Sequence, residues 1–320
     1  MAIAATAPQP LAPRGRALGD KGFRILAMLS GLAVVLILAL IAFSTTKEAW
    51  PAFRAEGLGF VTSDRWEPSQ GHFGALAFIF GTLASALVAL VISVPVSIGI
   101  ALFMTEFAPA RLRKPAVYAI DLLAAIPSVV YGLWGIYVLA PTIAPFYGSI
   151  SNAVRGIPVL DTFFGGQANG KSIFTCGIIL ALMVTPIVTA LTREVFETVP
   201  RAQKEAALAL GATRWEMIRA AVFPHSANGM LGAIILGLGR ALGETIAAAL
   251  VIGSSAQITS HLFASGDTMA GVIANQFGEA SGTHRAALIG LGVVLFGITI
   301  LVNLAARSIV GRQVAKSQGR

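Results

Sequence analysis

Long apolar segments alternate with shorter polar segments along the chain. The apolar segments, each of about 18 residues or more, cover residues 23–43, 74–104, 115–140, 173–190, 230–253 and 286–306. A helix of about 20 residues is long enough to cross the hydrocarbon core of a bilayer, which is about 30 Å thick. The pattern therefore predicts six transmembrane helices and an all-α integral membrane protein.

The polar segments suggest how the chain is divided. The predicted parts are a tail at 1–22, a first transmembrane helix with an external loop at 23–73, a core of five transmembrane helices at 74–306, and a second tail at 307–320. A long polar loop at 191–229 interrupts the core. No small-residue cleavage site follows 23–43, so we interpret this segment as a retained anchor rather than a signal peptide.

Basic residues are distributed unevenly between the predicted loops. The segments on one side of the predicted membrane hold 16 Lys and Arg residues, and those on the other side hold 6. Because basic residues are enriched in cytoplasmic loops, this bias predicts that both termini and the 191–229 loop are cytoplasmic. It also accounts for the net charge of +8, which therefore does not indicate nucleic-acid binding. Membrane lipid is the surrounding partner.

Residues 205–224 predict a helix, a tight turn and a second helix. The stretch that begins at Glu205 is rich in Ala and Leu, and Gly211 allows the backbone to turn. Thr213 and Glu216 have the spacing of a capping box, and Pro224 is expected to end the second helix. One face of that helix carries Trp215, Ile218 and Val222. Such a hairpin can dock in a groove of a soluble partner.

Two charged residues lie inside the fifth apolar segment. Arg240 is expected near the middle of the membrane, where an arginine costs at least about 2.5 kcal/mol to insert. Glu244 follows four residues later, on the same face of a continuous helix. The pair suggests an anion site in a transport path, in which Glu244 holds the guanidinium and accepts a proton from a protonated oxyanion. The alternative is a structural ion pair that fixes helix packing.

Asp121 is the charged residue of the third apolar segment. The rise per residue places it roughly 9 Å from the inner surface of the membrane. Two roles are open for its carboxylate, which either bonds to Arg240 or lines an inner vestibule. We expect no metal site, because the four histidines are scattered, and the single cysteine, Cys176, lies in an apolar segment.

Gly165 to Ser172 reads GGQANGKS and matches the consensus of a phosphate-binding loop. That motif requires a preceding strand and a following soluble helix, whereas an apolar segment follows here. The predicted topology also places this stretch outside the cell. We interpret it as a flexible Gly-rich loop with Lys171 at the membrane interface.

Residues 205–224 resemble the "EAA" loop of ABC-importer permeases. The matching positions are Glu205, Ala206, Ala207, Gly211 and Pro224, while Ala221 replaces the larger aliphatic residue of that pattern. Three further stretches, AAIPSVVYG at 124–132, VTPIVTALTREVF at 184–196 and GRALGETIAA at 239–248, are similar to the membrane permease subunits of phosphate-specific ABC importers. The similarity covers about residues 74–306.

The resemblance implies a type I ABC importer permease fold and the import of inorganic phosphate across a bacterial inner membrane. It places Arg240 and Glu244 in transport, and Glu205, Ala206, Ala207, Gly211, Trp215 and Pro224 in contact with an ATPase. It implies a homologous permease (PstA-like), two ATPase subunits (PstB-like) that hold ATP and Mg, and a phosphate-binding protein (PstS-like). The chain itself is expected to be no enzyme and to hold no cofactor.

Other functions remain open at this point. A permease of the paired PstA type, or one for sulfate or molybdate, has a similar loop. A membrane enzyme or a channel without ATP coupling is a different class of protein, and neither needs a docking helix.

Overall fold

The computed structural model describes residues 17–166 and 168–318, and about four-fifths of them are helical. The helices are α1 Ala17–Glu56, α2 Gly59–Thr62, α3 Leu76–Leu102, α4 Ala110–Ala125, α5 Ser128–Trp134, α6 Ala140–Val154, α7 Pro158–Phe164, α8 Ile173–Glu197, α9 Arg201–Ala209, α10 Arg214–Met217, α11 Phe223–Gly243, α12 Ile246–Val251, α13 Met269–Gln276 and α14 Gly282–Gln318. A small antiparallel hairpin pairs β1, Trp66–Glu67, with β2, His72–Phe73. Three π-helical turns, Phe103–Phe107, Gly135–Leu139 and Ile218–Val222, follow α3, α5 and α10.

Six helical segments are long and apolar enough to cross a membrane, which confirms the predicted number of spans. They are Lys21–Glu56, Leu76–Phe107, Ser128–Val154, Ile173–Glu197, Arg214–Gly243 and Gly282–Ser308. The predicted side of the termini stays a prediction. Residues 1–16 and 319–320, which belong to the predicted tails, lie outside the described residues.

The chain divides into two compact units, residues 1–47 and 48–320. The described part of the first unit is one helical stretch whose apolar side chains are exposed, as expected of a membrane anchor. The predicted external loop from residue 44 was wrong over its first part, because α1 continues to Glu56. Helix α1 ends where Gly57 adopts a positive φ of 56° and donates its N–H to Phe53 O.

The third span lies further along the chain than predicted. Helix α4 ends at Ala125, and the crossing helix begins at Ser128 and runs to Val154, rather than covering 115–140. Pro127 causes the break, because its ring disfavours helical backbone at the preceding residue, and Ile126 accordingly has a ψ of 126°. The stretch 141–172, which separates the predicted third and fourth spans, therefore belongs to the third span as far as Val154.

The last two spans also differ from their predicted limits. The fifth begins at Arg214, because α10, the π-helical turn and α11 are continuous, and it ends at Gly243 rather than at residue 253. The sixth span, Gly282–Ser308, begins four residues earlier than predicted and ends two residues later, and its helix α14 continues to Gln318. No proline follows residue 282 to interrupt that helix.

Helices α3 and α8 pack side by side in the centre of the second unit, with α11 against α8. Small residues allow this approach: a side chain at Gly177 would collide with Val88, and one at Gly237 would collide with Val184 and Val188. Ser97 of α3 donates its hydroxyl to the carbonyl oxygen of Thr185 in α8, at 3.1 Å. The two central helices are therefore held in a defined register.

Two apolar clusters identify the two ends of the helical unit. The loop-end cluster contains Ala101, Leu102, Phe196, Val199, Met217, Ile218 and Val222. The hairpin-end cluster includes Phe60, Phe73, Phe78, Met269, Leu288 and Leu291. Helices α3 and α8 end, and α10 and α11 begin, at the loop end, whereas α3 and α14 begin at the hairpin end. Helix α14 therefore runs antiparallel to α11, against which it packs.

Candidate functional site

The loop at the end of α8 forms the helix, turn and helix that the sequence predicts. Helix α9 ends in a tight turn in which Gly211 has a φ of 86° and donates its N–H to Leu208 O at 3.0 Å. The predicted capping box is confirmed: Thr213 Oγ1 accepts from Glu216 N at 3.3 Å, and Glu216 Oε2 accepts from Thr213 N at 2.8 Å. The turn and the start of α10 are therefore determined locally.

Pro224 does not end the second helix as predicted. The chain passes from α10 through the π-helical turn into α11, where Pro224 occupies the first turn. Proline is tolerated there because the wider π-helical turn before it removes the conflict between its ring and the usual helical hydrogen bond. The second half of the loop is consequently one continuous rod with the fifth span. Ile218 is fully buried in this turn, whereas Ala221 is 9% exposed.

The loop has large apolar side chains that no other described residue of the chain covers. Leu210 is 91% exposed and Trp215 is 58% exposed, although both are large and apolar. Glu205 and Ala206 are exposed beside them, while Ala207 packs against the loop-end cluster. Exposed large apolar groups on an otherwise polar helix hairpin indicate a surface that contacts another protein.

A salt bridge connects this loop to the end of α3. Lys204 Nζ lies 2.6 Å from Glu106 Oε1, and the two side chains are only 19% and 9% exposed. Arg113 stabilises the same corner by donating to the carbonyl oxygens of Thr105 and Ala108. Helix α9, which contains Glu205, is thereby attached to the end of the second span as well as to the fifth span.

Arg240 and Glu244 line one open groove, with a volume of about 930 Å³, beside α11 and α14. Its other polar lining residues are Asn228, Asn303 and Arg307, and its floor includes Gly239 and Gly243. Sequence reasoning missed these three polar residues as members of the site. The available signal was Asn303, a polar residue in an apolar segment that has Arg307 one helical turn later.

The predicted pairing of Arg240 with Glu244 on one helix face was wrong. Helix α11 ends at Gly243, and Glu244 has extended backbone, with a φ of −69° and a ψ of 128°. Its Oε1 accepts a hydrogen bond from Ala247 N at 3.2 Å and so caps α12. None of the salt bridges among residues 17–166 and 168–318 joins Glu244 to Arg240. The two residues share the groove, but not an ion pair.

Asp121 is separate from this groove. It is exposed on α4, and it is not among the residues that line the cavity with Arg240. The alternative in which its carboxylate bonds to Arg240 is therefore not realised in this structure, where no salt bridge of the described residues includes it. Tyr131 holds the break between α4 and α5 by donating its hydroxyl to Leu123 O at 3.0 Å.

At the start of α8, after the GGQANGKS stretch, the N–H groups that would bind a phosphate already donate to other acceptors. The first N–H groups of that helix already have acceptors: Ile173 N donates to Ala264 O, Phe174 N to Leu262 O, and Thr175 N to Ser172 Oγ. In a phosphate-binding loop these donors point to the ligand. Here they hold the loop that precedes α13 and are not available to a phosphate. The flexibility of the stretch and the position of Lys171 at the membrane interface stay predictions.

Asp267 is a buried acidic residue that sequence reasoning did not place. It is 5% exposed in the loop before α13, and its Oδ1 accepts from Thr268 N at 2.8 Å. Burial raises the pKa of its carboxyl to about 6, against the opposing effect of that hydrogen bond. The backbone passes so close to α3 that a side chain at Gly81 would collide with Asp267 O.

The chain is similar to several known proteins. The family described as "Binding-protein-dependent transport system inner membrane component" matches residues 93–315. The phosphate transport system permease protein PstC of Mesorhizobium japonicum is 41% identical over 306 residues, which cover 94% of this chain and 93% of that protein. PstC of Xylella fastidiosa is 43% identical over 300 residues, with 92% and 93% coverage.

Solved structures show the same fold at low sequence identity. A bacterial alginate ABC transporter chain superposes with a TM-score of 0.60 at 16% identity, covering 94% of this chain and 99% of that chain. A chain of the inward-facing MetNI methionine ABC transporter gives a TM-score of 0.53 at 17% identity, with 78% and 99% coverage. The architecture is that of ABC importer permeases, as the resemblance implied. The chain belongs to the family of binding-protein-dependent transport system inner membrane components.

Proposed function

We propose that this chain is the permease subunit of an ATP-driven importer that moves inorganic phosphate across a bacterial inner membrane by alternating access. The observation that carries the proposal is the groove in which Arg240 lies at the end of a membrane-spanning helix. A guanidinium presents a planar fork of N–H donors that matches the oxygens of a phosphate. The relatives that align over more than nine-tenths of this chain are named phosphate transport system permeases.

The groove is open on one side in the isolated chain, with Arg240 exposed there. A charged residue within a membrane span is almost always placed toward a partner or a water-filled path. We therefore place a homologous permease subunit across the groove, so that phosphate passes between the two chains. Glu244, which caps α12, adds a carboxylate that accepts a proton from a protonated phosphate.

The exposed loop surface around Leu210 and Trp215 is the proposed contact for a cytoplasmic ATPase subunit. ATP and Mg belong to that subunit, so this chain performs no covalent chemistry. A phosphate-binding protein would deliver the anion at the hairpin end. With this arrangement both termini are cytoplasmic, as the distribution of basic residues predicts. The coupling residues are Glu205, Ala206, Ala207, Gly211, Trp215 and Pro224.

The proposal is tested by uptake of labelled phosphate and labelled sulfate in cells that lack their own phosphate permease. The native chain and Arg240→Gln are each expressed with the partner subunits, and Arg111→Gln is the control that removes an equal charge from exposed α4. We expect native and Arg111→Gln cells to take up phosphate, and Arg240→Gln cells to lose uptake at normal membrane abundance. Uptake of sulfate in place of phosphate would overturn the assignment of phosphate as the substrate. Phosphate uptake that survives in Arg240→Gln would show that Arg240 is not part of the transport path.

A further inference from the structure

A second groove, separate from the one that contains Arg240, is almost entirely apolar. It lies between α3, α4, α5 and α8 and has a volume of about 500 Å³. We call it the apolar groove, and its lining includes Ile92, Val96, Ile100, Ile120, Leu123 and Trp134. Val96, Leu123 and Trp134 are exposed although they are large. Contiguous exposed apolar surface indicates a site that binds an apolar partner.

The interior of the apolar groove offers little to a polar ligand. No charged side chain is found among the described residues that line it, and only Tyr131 and Thr185 of that lining carry hydroxyl groups. Both hydroxyls already donate to main-chain oxygens, Tyr131 to Leu123 O at 3.0 Å and Thr185 to Ala181 O at 2.7 Å. The groove therefore suits a hydrocarbon chain rather than a free anion.

Arg113 marks the loop end of the apolar groove. It donates from Nη2 to Thr105 O at 3.0 Å, five residues beyond the lining residue Ile100 of α3. On α4 it precedes the lining residue Ile120 by seven residues, which is two helical turns, so the two side chains share a face about 10 Å apart. Two helices thus place the same guanidinium at one end of the groove.

Arg113 retains donors for a ligand. Its bonds to Thr105 O and Ala108 O use two of the five N–H groups of a guanidinium, and its side chain is exposed. Within the described part of the chain, no salt bridge includes it. Lys114 beside it is exposed too, and the nearby Glu106 is already bound to Lys204. This end of the groove is therefore positively charged and attracts an anionic group.

We infer that the apolar groove binds an anionic phospholipid. One acyl chain lies along Ile100, Leu123 and Trp134, and the phosphate of the headgroup accepts hydrogen bonds from Arg113. The predicted topology puts Arg113 at the cytoplasmic leaflet, where anionic lipids make the membrane surface negative. The bound lipid holds α4 against α3 and α5. Because this site is distinct from the Arg240 groove, the inference does not depend on which ion the chain transports.

Fluorescence quenching tests lipid binding without a transport assay, because bromine atoms on an acyl chain quench an adjacent tryptophan. The full complex is placed in phosphatidylcholine bilayers with increasing fractions of either phosphatidylglycerol or phosphatidylcholine that has brominated acyl chains. The signal of Trp134 is the difference between the native complex and Trp134→Phe. We expect brominated phosphatidylglycerol to quench Trp134 at about a fivefold lower fraction than brominated phosphatidylcholine.

Two variants of α4 locate the headgroup. Arg113→Gln should remove the preference for phosphatidylglycerol. Arg111→Gln removes an equal charge two residues earlier, on the opposite face of α4, and should keep the preference. A preference that survives in Arg113→Gln would contradict the inference, because the headgroup would then lie elsewhere.

The native complex alone is sufficient to overturn the inference, even if Arg113→Gln fails to assemble. Equal quenching of Trp134 by the two brominated lipids would show that the groove does not select an anionic headgroup. Absence of quenching by either lipid would show that a partner subunit covers the groove. Phosphate uptake is not part of these measurements, so each of these results leaves the proposed function as it stands.

Discussion

Lys204 and Glu106 form a salt bridge that connects the residue before the EAA segment to the end of the second span, with 2.6 Å between Nζ and Oε1. The two residues are 98 positions apart in the sequence. Since Glu106 is largely buried, its carboxylate depends on this ammonium group for compensation. A displacement of α9 by a docked ATPase would therefore be transmitted to α3 directly, and to α11 through the continuous rod that begins at Arg214.

Reversal of the Lys204 charge should separate ATP hydrolysis from transport. Lys204→Glu places two carboxylates together and destabilises this corner by about 3 kcal/mol. We expect phosphate uptake to fall well below that of the native complex, while the ATPase subunits still hydrolyse ATP. Hydrolysis and uptake are measured together in proteoliposomes.

The double variant Lys204→Glu with Glu106→Lys is the control for that measurement. It restores opposite charges at the same two positions and should recover most of the uptake. Native uptake in the single variant would show that the bridge plays no part in coupling.

Gly211 should tolerate no β-branched residue. Its φ of 86° lies in the left-handed region, where an ordinary residue costs about 1–2 kcal/mol, although a Cβ at this position would meet no other atom within 4 Å. Gly211→Val should therefore change the α9–α10 turn and weaken co-purification of the ATPase. Gly99→Ala, at a position on α3 where a Cβ meets no other atom within 4 Å, is the control and should leave co-purification of the ATPase unchanged. Normal co-purification of the valine variant would argue against this turn as the docking element.

Replacement of Asp267 should reduce the pH dependence of stability. The folded carboxyl titrates near pH 6, above its ordinary value of 3.8, so the folded protein retains a proton that the unfolded chain has lost. The retained proton adds up to about 3 kcal/mol to the free energy of unfolding. This stabilisation is fully present below about pH 4 and is lost as the pH rises through 6. The native protein should melt at a lower temperature at pH 7.5 than at pH 5.

Asp267→Asn removes the titrating group and keeps an acceptor for Thr268 N. The difference between the two melting temperatures should therefore be smaller in this variant than in the native protein. Asp64→Asn, at an exposed carboxyl, should retain the native difference. An unchanged pH dependence in Asp267→Asn would place the titrating group elsewhere.

Glu244 has one observed role, the cap of α12, and one proposed role, the acceptance of a proton from phosphate, and two substitutions distinguish them. Glu244→Gln keeps an oxygen that can accept from Ala247 N, whereas Glu244→Ala removes the cap of α12 at a cost of about 1 kcal/mol. We expect the alanine variant to lower the melting temperature and the glutamine variant to preserve it. Both should lower phosphate uptake if the carboxylate accepts a proton from the substrate. Native uptake in Glu244→Gln would leave Glu244 with its capping role alone.

Local sequence was sufficient to predict some structural elements and insufficient to predict others. The turn at Gly211 and the Thr213–Glu216 capping box were predicted correctly because both depend on residues within one or two helical turns. The limits of the third span were wrong because apolar composition continues across Pro127, and composition alone does not locate a break. Pro224 was misinterpreted because the π-helical turn before it cannot be recognised from the residue types.

By itself, the sequence determined the number of spans, the presence of the loop and the type of groups available for an anion. Those properties follow from segment length, hydropathy and short-range hydrogen bonding, which act between near neighbours. Only the tertiary structure decided which polar residues share one groove, because Asn303 and Arg307 meet the α11 face through helix packing. It also decided that Glu244 caps α12 instead of pairing with Arg240, and that Lys204 reaches Glu106. Those contacts join residues distant in the chain, and their geometry depends on how whole helices pack against each other.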